Sequence, residues 1–329
     1  MEEVLASAAL VAAGLALLCL GGNWLVGGGE KIAKRFRVSS FVIGMTVIAY
    51  GTSTPELAAS VAAATGGYGA IILGNIIGSN IANVGMVIGI SAVLIPLAVG
   101  RYVLRKEIPV MIGASVLLVA LSADGEVSQY DGFILLAGLG VVTYRTMRII
   151  KGQRAEAGGA GPSEPPDGRP EPGSAQAHQP VGRFYARNVG TIGAGIALLY
   201  VGAILTVDHA AILAKTFGLS EKVIGLTVVA IGTSLPELIT SIMAIRRGQQ
   251  DIGVGNIIGS NIYNVLMIMG VGAALGGVAI SDDVWVDYGI MLAFGAALLA
   301  ALKTGRVGRR VGICLAAGYA AYLGVSLLK

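Results

Sequence analysis

Two glutamates, Glu56 and Glu237, lie within long apolar stretches of the sequence. A charged side chain at the centre of a membrane helix costs about 3 kcal/mol on insertion scales, and such residues usually have a function. Each glutamate ends the same short motif, GTSxPE, at residues 51–56 and 232–237. Two equivalent carboxylates from two halves of one membrane protein suggest a binding site for a cation.

The motif belongs to a longer internal repeat. Residues 44–83 and 225–264 align without a gap at an offset of 181, with 23 identical residues in 40 positions. Both copies continue into the sequence GNIIGSN, at 74–80 and at 255–261. The two halves of the chain therefore contribute the same set of polar residues.

A proline precedes the glutamate in each copy. Proline lacks an N–H group and clashes with the carbonyl four residues earlier, so Pro55 frees the carbonyl of Gly51 and Pro236 frees that of Gly232. A freed carbonyl finds no partner in lipid. A bound cation, a water molecule or a neighbouring helix can supply that partner.

Helical spacing brings further oxygen atoms beside the glutamates, because residues three, four, seven or eleven positions apart lie near one helix face. In the span that carries each glutamate this face holds Ala49, Thr52 or Ser53, Glu56 and Ser60 in the first copy, and Ala230, Thr233, Glu237 and Ser241 in the second. In the following span it holds Asn75, Ser79 and Asn83, or Asn256, Ser260 and Asn264. We expect these polar faces to meet across the helix bundle.

The candidate ligands are all hard oxygens. Carboxylate, hydroxyl, amide and carbonyl oxygens suit Ca²⁺, Na⁺ or Mg²⁺, whereas zinc and copper prefer imidazole and thiolate. Ca²⁺ takes about 6–8 oxygens, of which two bidentate glutamates would supply four. Two negative charges match one Ca²⁺ or more than one Na⁺. Because two unpaired buried carboxylates are costly, we expect the site to change sides of the membrane only when cations fill it.

The composition is that of a membrane protein. Of the 329 residues 55% are hydrophobic and 13% are charged, against about 25% charged in a soluble domain. Cys19 and Cys314 lie in apolar segments and are expected to be buried thiols. A membrane span needs about 20 apolar residues, and ten are predicted: 4–26, 39–64, 70–98, 107–123, 132–150, 187–211, 222–245, 252–279, 284–302 and 308–328.

These spans predict an all-α polytopic fold of two five-helix repeats with inverted topology, residues 1–151 and 183–329. Residues 152–182 contain six of the ten prolines and are predicted to be a disordered cytoplasmic linker. With both termini outside the cell membrane, 20 of the 23 lysines and arginines fall in cytoplasmic loops, as the positive-inside rule requires. The net charge of +4 is thus a topology signal, and neither nucleic acid nor a protein partner is expected.

The paired GTSxPE and GNxxGSN segments resemble the two alpha-repeats of the cation/Ca²⁺ exchanger superfamily, in particular the prokaryotic sodium/calcium exchangers. The resemblance implies antiport of Na⁺ against Ca²⁺ across the cell membrane, with no cofactor and no enzymatic activity. It implies that spans one and six slide past a fixed core to alternate access to the site.

The resemblance also implies a role for each matching position. Ca²⁺ would be held by Glu56 and Glu237 with the backbone oxygens of Thr52 and Thr233. One Na⁺ site would use Ala49, Thr52 and Ser79 with Glu237, and a second would use Ala230, Thr233 and Ser260 with Glu56. The centre would be lined by Ser53, Ser234, Asn83 and Asn264.

Two positions depart from the family pattern. Several relatives, including potassium-dependent ones, carry Asp where this chain has Asn264, so the central cluster has only two carboxylates, which argues against potassium co-transport. Thr54 stands where Leu is usual, as Leu235 is in the second copy. Either an additional hydroxyl ligand or packing would account for Thr54.

Three other functions compete with Na⁺/Ca²⁺ antiport. An H⁺/Ca²⁺ exchanger of the same superfamily is the nearest, but protons need carboxylates rather than the retained Thr52, Thr233, Ser79 and Ser260 hydroxyls. A cation channel conducts through weak sites, whereas paired buried carboxylates suggest tight binding. An intramembrane enzyme would need a nucleophile–base pair or a metal motif, and the sequence offers neither.

Overall fold

A computed structural model describes residues 2–36, 38–66, 68–159, 181–218, 230–281, 284–302 and 304–328. Within these residues the fold is almost entirely helical, as predicted. The first repeat comprises α1 (Glu2–Phe36), α2 (Ser40–Ile43), α3 (Ala49–Thr52), α4 (Thr54–Thr65), α5 (Gly69–Ala82), α6 (Gly89–Leu94), α7 (Ile108–Leu121) and α8 (Gln129–Gly159), with π-helical turns at Gly44–Ile48, Asn83–Ile88 and Val103–Glu107.

The second repeat follows the same order. It comprises α9 (Val181–Thr216), α10 (Ala230–Thr233), α11 (Leu235–Arg246), α12 (Gln250–Tyr263), α13 (Gly270–Gly276), α14 (Val284–Ala297) and α15 (Arg309–Leu328), with a π-helix at Asn264–Met269 and a 3₁₀ helix at Leu298–Leu302. Residues 222–229, the beginning of one predicted span, lie outside the described residues. The other predicted spans are mainly helical in the described part of the chain, although the spans 70–98 and 252–279 end in short strands.

Five helices in the described residues are long and apolar enough to cross a membrane on their own: Val4–Phe36, Ile71–Leu94, Gln129–Gln153, Gly182–Leu213 and Gln250–Gly276. The spans that carry Glu56 and Glu237 are instead broken into shorter helices. In the most apolar 18 residues of Ile71–Leu94 and of Gln250–Gly276, 83% are buried, against 22% or less in the other three helices. The third and eighth spans therefore form the centre of the bundle.

Three details differ from the prediction. Helix α1 continues ten residues past the expected end at residue 26, because its charged end, with Lys34 paired to Glu30 at 2.8 Å, extends beyond the apolar stretch. Helix α8 runs to Gly159, eight residues into the expected linker, and residues 160–180 lie outside the described residues. Cys19 and Cys314 are free but exposed rather than buried, since they lie on the outward faces of their helices.

Two short antiparallel ladders, absent from the prediction, tie the repeats together at opposite ends of the bundle. Strand β1 (Leu97–Ala98) pairs with β4 (Arg306–Val307), and β2 (Glu126–Val127) pairs with β3 (Val278–Ala279). The two ladders are equivalent, because the repeat places Val278 at the position of Leu97 and Val307 within one residue of the position of Val127. The pair Leu97–Val307 of one ladder thus corresponds to the pair Val278–Val127 of the other. This swap of ends is the inverted topology of the two repeats.

Helices α1 and α9 cross as an antiparallel pair with glycines at the contact. A Cβ added at Gly14 would lie 2.8 Å from the carbonyl oxygen of Gly202, and one at Gly21 would lie 2.7 Å from that of Gly195. These glycines recur every seven residues, so the backbones approach along the whole crossing. The close fit makes α1 and α9 a single packing unit, which we call the α1–α9 pair.

Candidate functional site

The helix breaks predicted at Pro55 and Pro236 are confirmed. Helix α3 ends at Thr52 and α4 begins at Thr54, while α10 ends at Thr233 and α11 begins at Leu235. The serine between each pair of helices leaves helical geometry, with φ −85° and ψ 4° at Ser53 and φ −90° and ψ 3° at Ser234. Each break sets a glutamate in the first turn of a new helix at the centre of the bundle.

The structure brings the two glutamates together. Glu56 is 2% exposed and Glu237 is 1% exposed, and their carboxyl groups are near enough to interact electrostatically. Ser53 of the first repeat donates a hydrogen bond to Oε1 of Glu237 at 3.2 Å, and Ser260 donates to the same oxygen at 3.4 Å. Residues of both repeats therefore surround one carboxylate.

A third buried glutamate shows what a fully paired carboxylate looks like in this fold. Glu107, 1% exposed, receives two hydrogen bonds from Arg145, at 2.6 and 3.2 Å, and this ion pair joins the π-helical turn before α7 to α8. In the described residues no lysine or arginine pairs with Glu56 or Glu237. The negative charge at the centre is thus left for some other cation.

The hydroxyl of Thr52 lies between the repeats. It donates to Oδ1 of Asn256 at 3.1 Å and lies 3.5 Å from the hydroxyl of Ser260. Asn256 in turn donates to Ser241 at 3.1 Å, just as Asn75 donates to Ser60 at 3.3 Å in the other repeat. The polar faces predicted from helical spacing do meet.

One predicted grouping is wrong. The resemblance implied Ser79 beside Thr52 and Glu237, but Ser260 of the opposite repeat occupies that position. The cause is that α12 crosses directly over the third helix of the first repeat: a Cβ added at Gly259 would lie only 2.7 Å from Cβ of Ala49. From the equivalence of the repeats we expect Ser79 on the side of Thr233 and Glu56.

The remaining predicted residues lie in the same region. Ala49, Ser53 and Ser234 are fully buried, Ser79 is 4% exposed, and Asn83 and Asn264 are 1% and 2% exposed. Thr233 is half-buried at the end of α10. Ala230 begins α10, and its side chain lies outside what the structure describes.

Four residues at the centre were missed from the sequence: Asn80, Asn261, Met111 and Met291. Asn264 donates to Oδ1 of Asn80 at 3.0 Å, and Asn83 donates to Oδ1 of Asn261 at 3.1 Å. The repeated phrase GNIIGSN contains Asn80 and Asn261 as its last residues, so their identity in both copies was a usable signal. Met111 and Met291 lie outside the repeat and carried none.

Unsatisfied oxygens are concentrated at this centre. Among the described residues, five buried oxygens of predicted site residues have no hydrogen-bond partner: Oε2 of Glu56, Oε2 of Glu237, Oγ of Ser234, Oδ1 of Asn83 and Oδ1 of Asn264. Buried polar atoms are normally satisfied, and leaving one bare costs about 1–3 kcal/mol. Hard oxygens of this kind are what a Ca²⁺ or Na⁺ ion takes as ligands.

A helical membrane bundle of two inverted repeats, broken at its middle around buried polar residues, is the architecture of a secondary transporter. The model of the family described as sodium/calcium exchanger protein matches the chain twice, over residues 6–147 and 187–328. The chain belongs to this family of cation/Ca²⁺ antiporters.

Individual relatives agree with the family over almost the full length. The chain is 31% identical to the sodium/calcium exchanger MaX1 of Methanosarcina acetivorans, covering 94% of this chain and 95% of the relative. It is 35% identical to the inner membrane protein YrbG of Escherichia coli (strain K12), covering 97% and 96%. A solved structure of the sodium-calcium exchanger NCX_Mj soaked with Na⁺ without Ca²⁺ superimposes with a TM-score of 0.79 at 32% identity, covering 98% of this chain and 99% of the other.

Proposed function

We propose that the protein exchanges Na⁺ for Ca²⁺ across the cell membrane by alternating access. The observation that carries the proposal is the pair of buried carboxylates, Glu56 and Glu237, which have bare Oε2 atoms and no basic partner in the described residues. Two carboxylates balance one Ca²⁺ or at least two Na⁺. Either cation relieves the cost of the buried charge, so each substitutes for the other.

The contacts support a division of the site into a shared centre and two flanks. Ca²⁺ at the centre takes the carboxylates of Glu56 and Glu237 and the backbone oxygens of Thr52 and Thr233. One Na⁺ flank uses Thr52, Ser260 and Glu237, which contact one another, together with the backbone oxygen of Ala49. The other flank follows from the equivalence of the repeats, and uses Thr233, Ser79, Glu56 and Ala230. Ser53, Ser234, Asn83 and Asn264 complete the wall.

Exchange then follows from charge. An empty site leaves two buried carboxylates uncompensated, whereas a filled site is neutral or nearly so. The α1–α9 pair packs through its own glycines and moves past the remaining spans as one body only when the site is filled. Ca²⁺ bound from one side is therefore released on the other only against Na⁺.

The charges at the two ends of the bundle support an orientation. Arg101, Arg105, Arg306, Arg309 and Arg310 lie near the β1–β4 ladder, whereas Asp124, Glu126, Asp131 and Asp287 lie near the β2–β3 ladder. Lysine and arginine accumulate on the cytoplasmic side of membrane proteins. The β1–β4 end faces the cytoplasm, and both termini lie outside.

The test is uptake of ⁴⁵Ca²⁺ into liposomes that contain the purified protein and are loaded with Na⁺, K⁺ or choline. Uptake should require internal Na⁺ and should vanish in Glu56→Gln, while Glu126→Gln, which changes an exposed carboxyl group in β2, should leave it unchanged. Uptake that proceeds equally with choline inside would overturn Na⁺ coupling.

The same liposomes distinguish the proton-coupled alternative. Uptake driven by an acidic interior without Na⁺ would identify an H⁺/Ca²⁺ exchanger. The double variant Thr52→Val with Ser260→Ala removes two hydroxyls of one Na⁺ flank but neither carboxylate. We expect it to raise the Na⁺ concentration for half-maximal exchange while sparing Ca²⁺ binding, and unchanged Na⁺ activation would contradict the assignment of that flank.

A further inference from the structure

Behind the candidate ligands lies a second layer of amides. Asn80 and Asn261, the last residues of the two GNIIGSN segments, are 2% and 3% exposed. They are separated from Asn83 and Asn264 by less than one helical turn, and both pairs lie where α5 and α12 pass into π-helices that begin at Asn83 and Asn264. The arrangement is the same in the two repeats.

The amide groups of Asn80 and Asn261 face atoms that can only accept hydrogen bonds. Nδ2 of Asn261 donates to the sulfur of Met111 at 3.4 Å. Nδ2 of Asn80 donates to the backbone oxygen of Asn261 at 3.4 Å and approaches the sulfur of Met291 at 3.8 Å. A thioether or a carbonyl oxygen cannot donate, so the NH₂ group of each amide must face it.

Because the NH₂ groups of Asn80 and Asn261 are held in place, their carbonyl oxygens determine how the amide of the neighbouring asparagine is oriented. With its NH₂ group held, Asn261 presents Oδ1 to Nδ2 of Asn83 at 3.1 Å, and Asn80 presents Oδ1 to Nδ2 of Asn264 at 3.0 Å. Asn83 and Asn264 therefore direct their NH₂ groups at Asn261 and Asn80. Their Oδ1 atoms are buried and have no partner among the described residues.

We propose that Asn80 and Asn261 are positioning residues that orient Asn264 and Asn83 so that carbonyl oxygen rather than NH₂ faces the transported cation. The proposal rests on the proposed function, since it takes Asn83 and Asn264 as part of the cation site. An asparagine amide has two nearly isosteric orientations, and the reversed one would direct a donor at a positive ion. The orientation is fixed by the acceptors of the NH₂ groups, which are the sulfur atoms of Met111 and Met291 and the backbone oxygen of Asn261.

The experiment measures Ca²⁺ binding to the purified full-length protein in detergent, by calorimetry without any coupling ion. Asn261→Leu removes the acceptor for Asn83, and we expect a Ca²⁺ dissociation constant about tenfold higher, the usual effect of losing an outer-shell partner of a metal ligand. Ser115→Ala is the matched control, because Ser115 lines the same small cavity but bonds only the backbone oxygen of Met111.

A double-mutant cycle separates orientation from general loosening of the core. If Asn261 acts through Asn83, Asn261→Leu should change Ca²⁺ affinity little once Asn83→Ala has removed the oriented amide. Equal losses in both backgrounds, or an Asn261→Leu protein that binds Ca²⁺ as the parent does, would overturn the proposal.

Met111→Leu provides the same test with little change of volume should Asn261→Leu not fold. It removes the sulfur acceptor, and the proposal requires a weaker Ca²⁺ affinity in the same direction. Because binding is measured without Na⁺ or a pH gradient, a failure of Na⁺ coupling in the liposome assay leaves this result unaffected.

Discussion

Helices α4 and α11 are equivalent in sequence position, yet the bundle treats them differently. Helix α1 lies along α11: a Cβ added at Gly22 would be 3.4 Å from Cα of Thr240, which is fully buried. On α4 the equivalent positions, Ala58 and Ala59, are exposed. Among the described residues α9 makes no packing on α4 comparable to that of α1 on α11.

A polar contact accompanies the covered side only. Arg247, just past α11, donates two hydrogen bonds to Oδ1 of Asn23 in α1, at 2.9 and 2.6 Å. The equivalent positions in the other repeat, at the offset of 181, are Gly66 and Ile204, which cannot form such a contact. The α1–α9 pair therefore packs against α11 toward the end of the bundle that carries the β1–β4 ladder. The end of α4 near the β2–β3 ladder is left uncovered.

Under the proposed function, we infer from this difference that the structure is one of two related arrangements. The amide pairs Asn80–Asn264 and Asn261–Asn83 obey the equivalence of the repeats, whereas the α1–α9 pair does not. Inverted repeats exchange such asymmetry during alternating access, so in the opposite arrangement α9 should cover α4 as α1 now covers α11. The following four predictions test this comparison.

The largest effect is expected where the repeats are equivalent. Glu56→Gln and Glu237→Gln should each reduce Ca²⁺ transport about 100-fold or more, because removal of one charge leaves a divalent ion under-compensated in a buried site. Uptake of ⁴⁵Ca²⁺ into liposomes measures both. If only one of the two variants kept its activity, the two glutamates would contribute unequally to transport, and the expected equivalence would be contradicted.

A disulfide should trap the described arrangement. Gly22→Cys with Thr240→Cys brings two sulfurs within the range of a disulfide, in a background where the exposed Cys19 and Cys314 are serine. Oxidation should reduce transport to background, and dithiothreitol should restore it. The equivalent pair, Ala203→Cys with Ala59→Cys, should cross-link only in the opposite arrangement, so rapid cross-linking of both pairs under one ionic condition would contradict the comparison.

A smaller effect is expected from the contact at Arg247. Arg247→Ala removes two hydrogen bonds to Asn23 and should shift the equilibrium toward the opposite arrangement about fivefold, the effect of about 1 kcal/mol. The rate at which a maleimide labels Ala59→Cys measures the shift, since that position should become covered. Arg246→Ala is the control, as Arg246 is exposed; equal labelling in the two variants would argue against any role of the contact.

The smallest effect is expected at Thr54, where the two motifs differ. Its exposed hydroxyl donates to the backbone oxygen of Tyr50 at 2.9 Å and so serves its own helix. Thr54→Leu, which copies Leu235 of the second repeat, should change the Ca²⁺ and Na⁺ concentrations for half-maximal exchange by less than about twofold. A larger change in either concentration would indicate that Thr54 is an ion ligand, unlike Leu235 at the equivalent position.

Much of the site was predictable because it depends on local covalent chemistry. Pro55 and Pro236 break a helix wherever they occur inside one, and the spacing of Thr52, Glu56 and Ser60 assigns one face whatever the helix packs against. The repeat itself predicted that Glu56 and Glu237 would be equivalent. The family model, which matches the chain twice, agrees with the repeat itself.

Other features were not predictable, since they depend on which helices cross. Ser260 rather than Ser79 lies beside Thr52 because α12 passes over α3 at Gly259, and no spacing within one repeat contains that information. Each strand of the ladders is two residues long, too short for a periodic pattern. The orientation of Asn83 depends on Met111, a residue 28 positions away and outside the repeat.

The sequence by itself determined the class of protein, the inverted repeats, the helix breaks and the set of candidate oxygen ligands, because these follow from hydrophobic length, internal repetition and proline geometry. Only the tertiary structure decided how the ligands are shared between repeats, how their amides are oriented, and which of two equivalent helices is covered. The physical reason is that two nearly identical motifs have the same local preferences. Long-range packing of α1 on α11, with the contact between Arg247 and Asn23, distinguishes them.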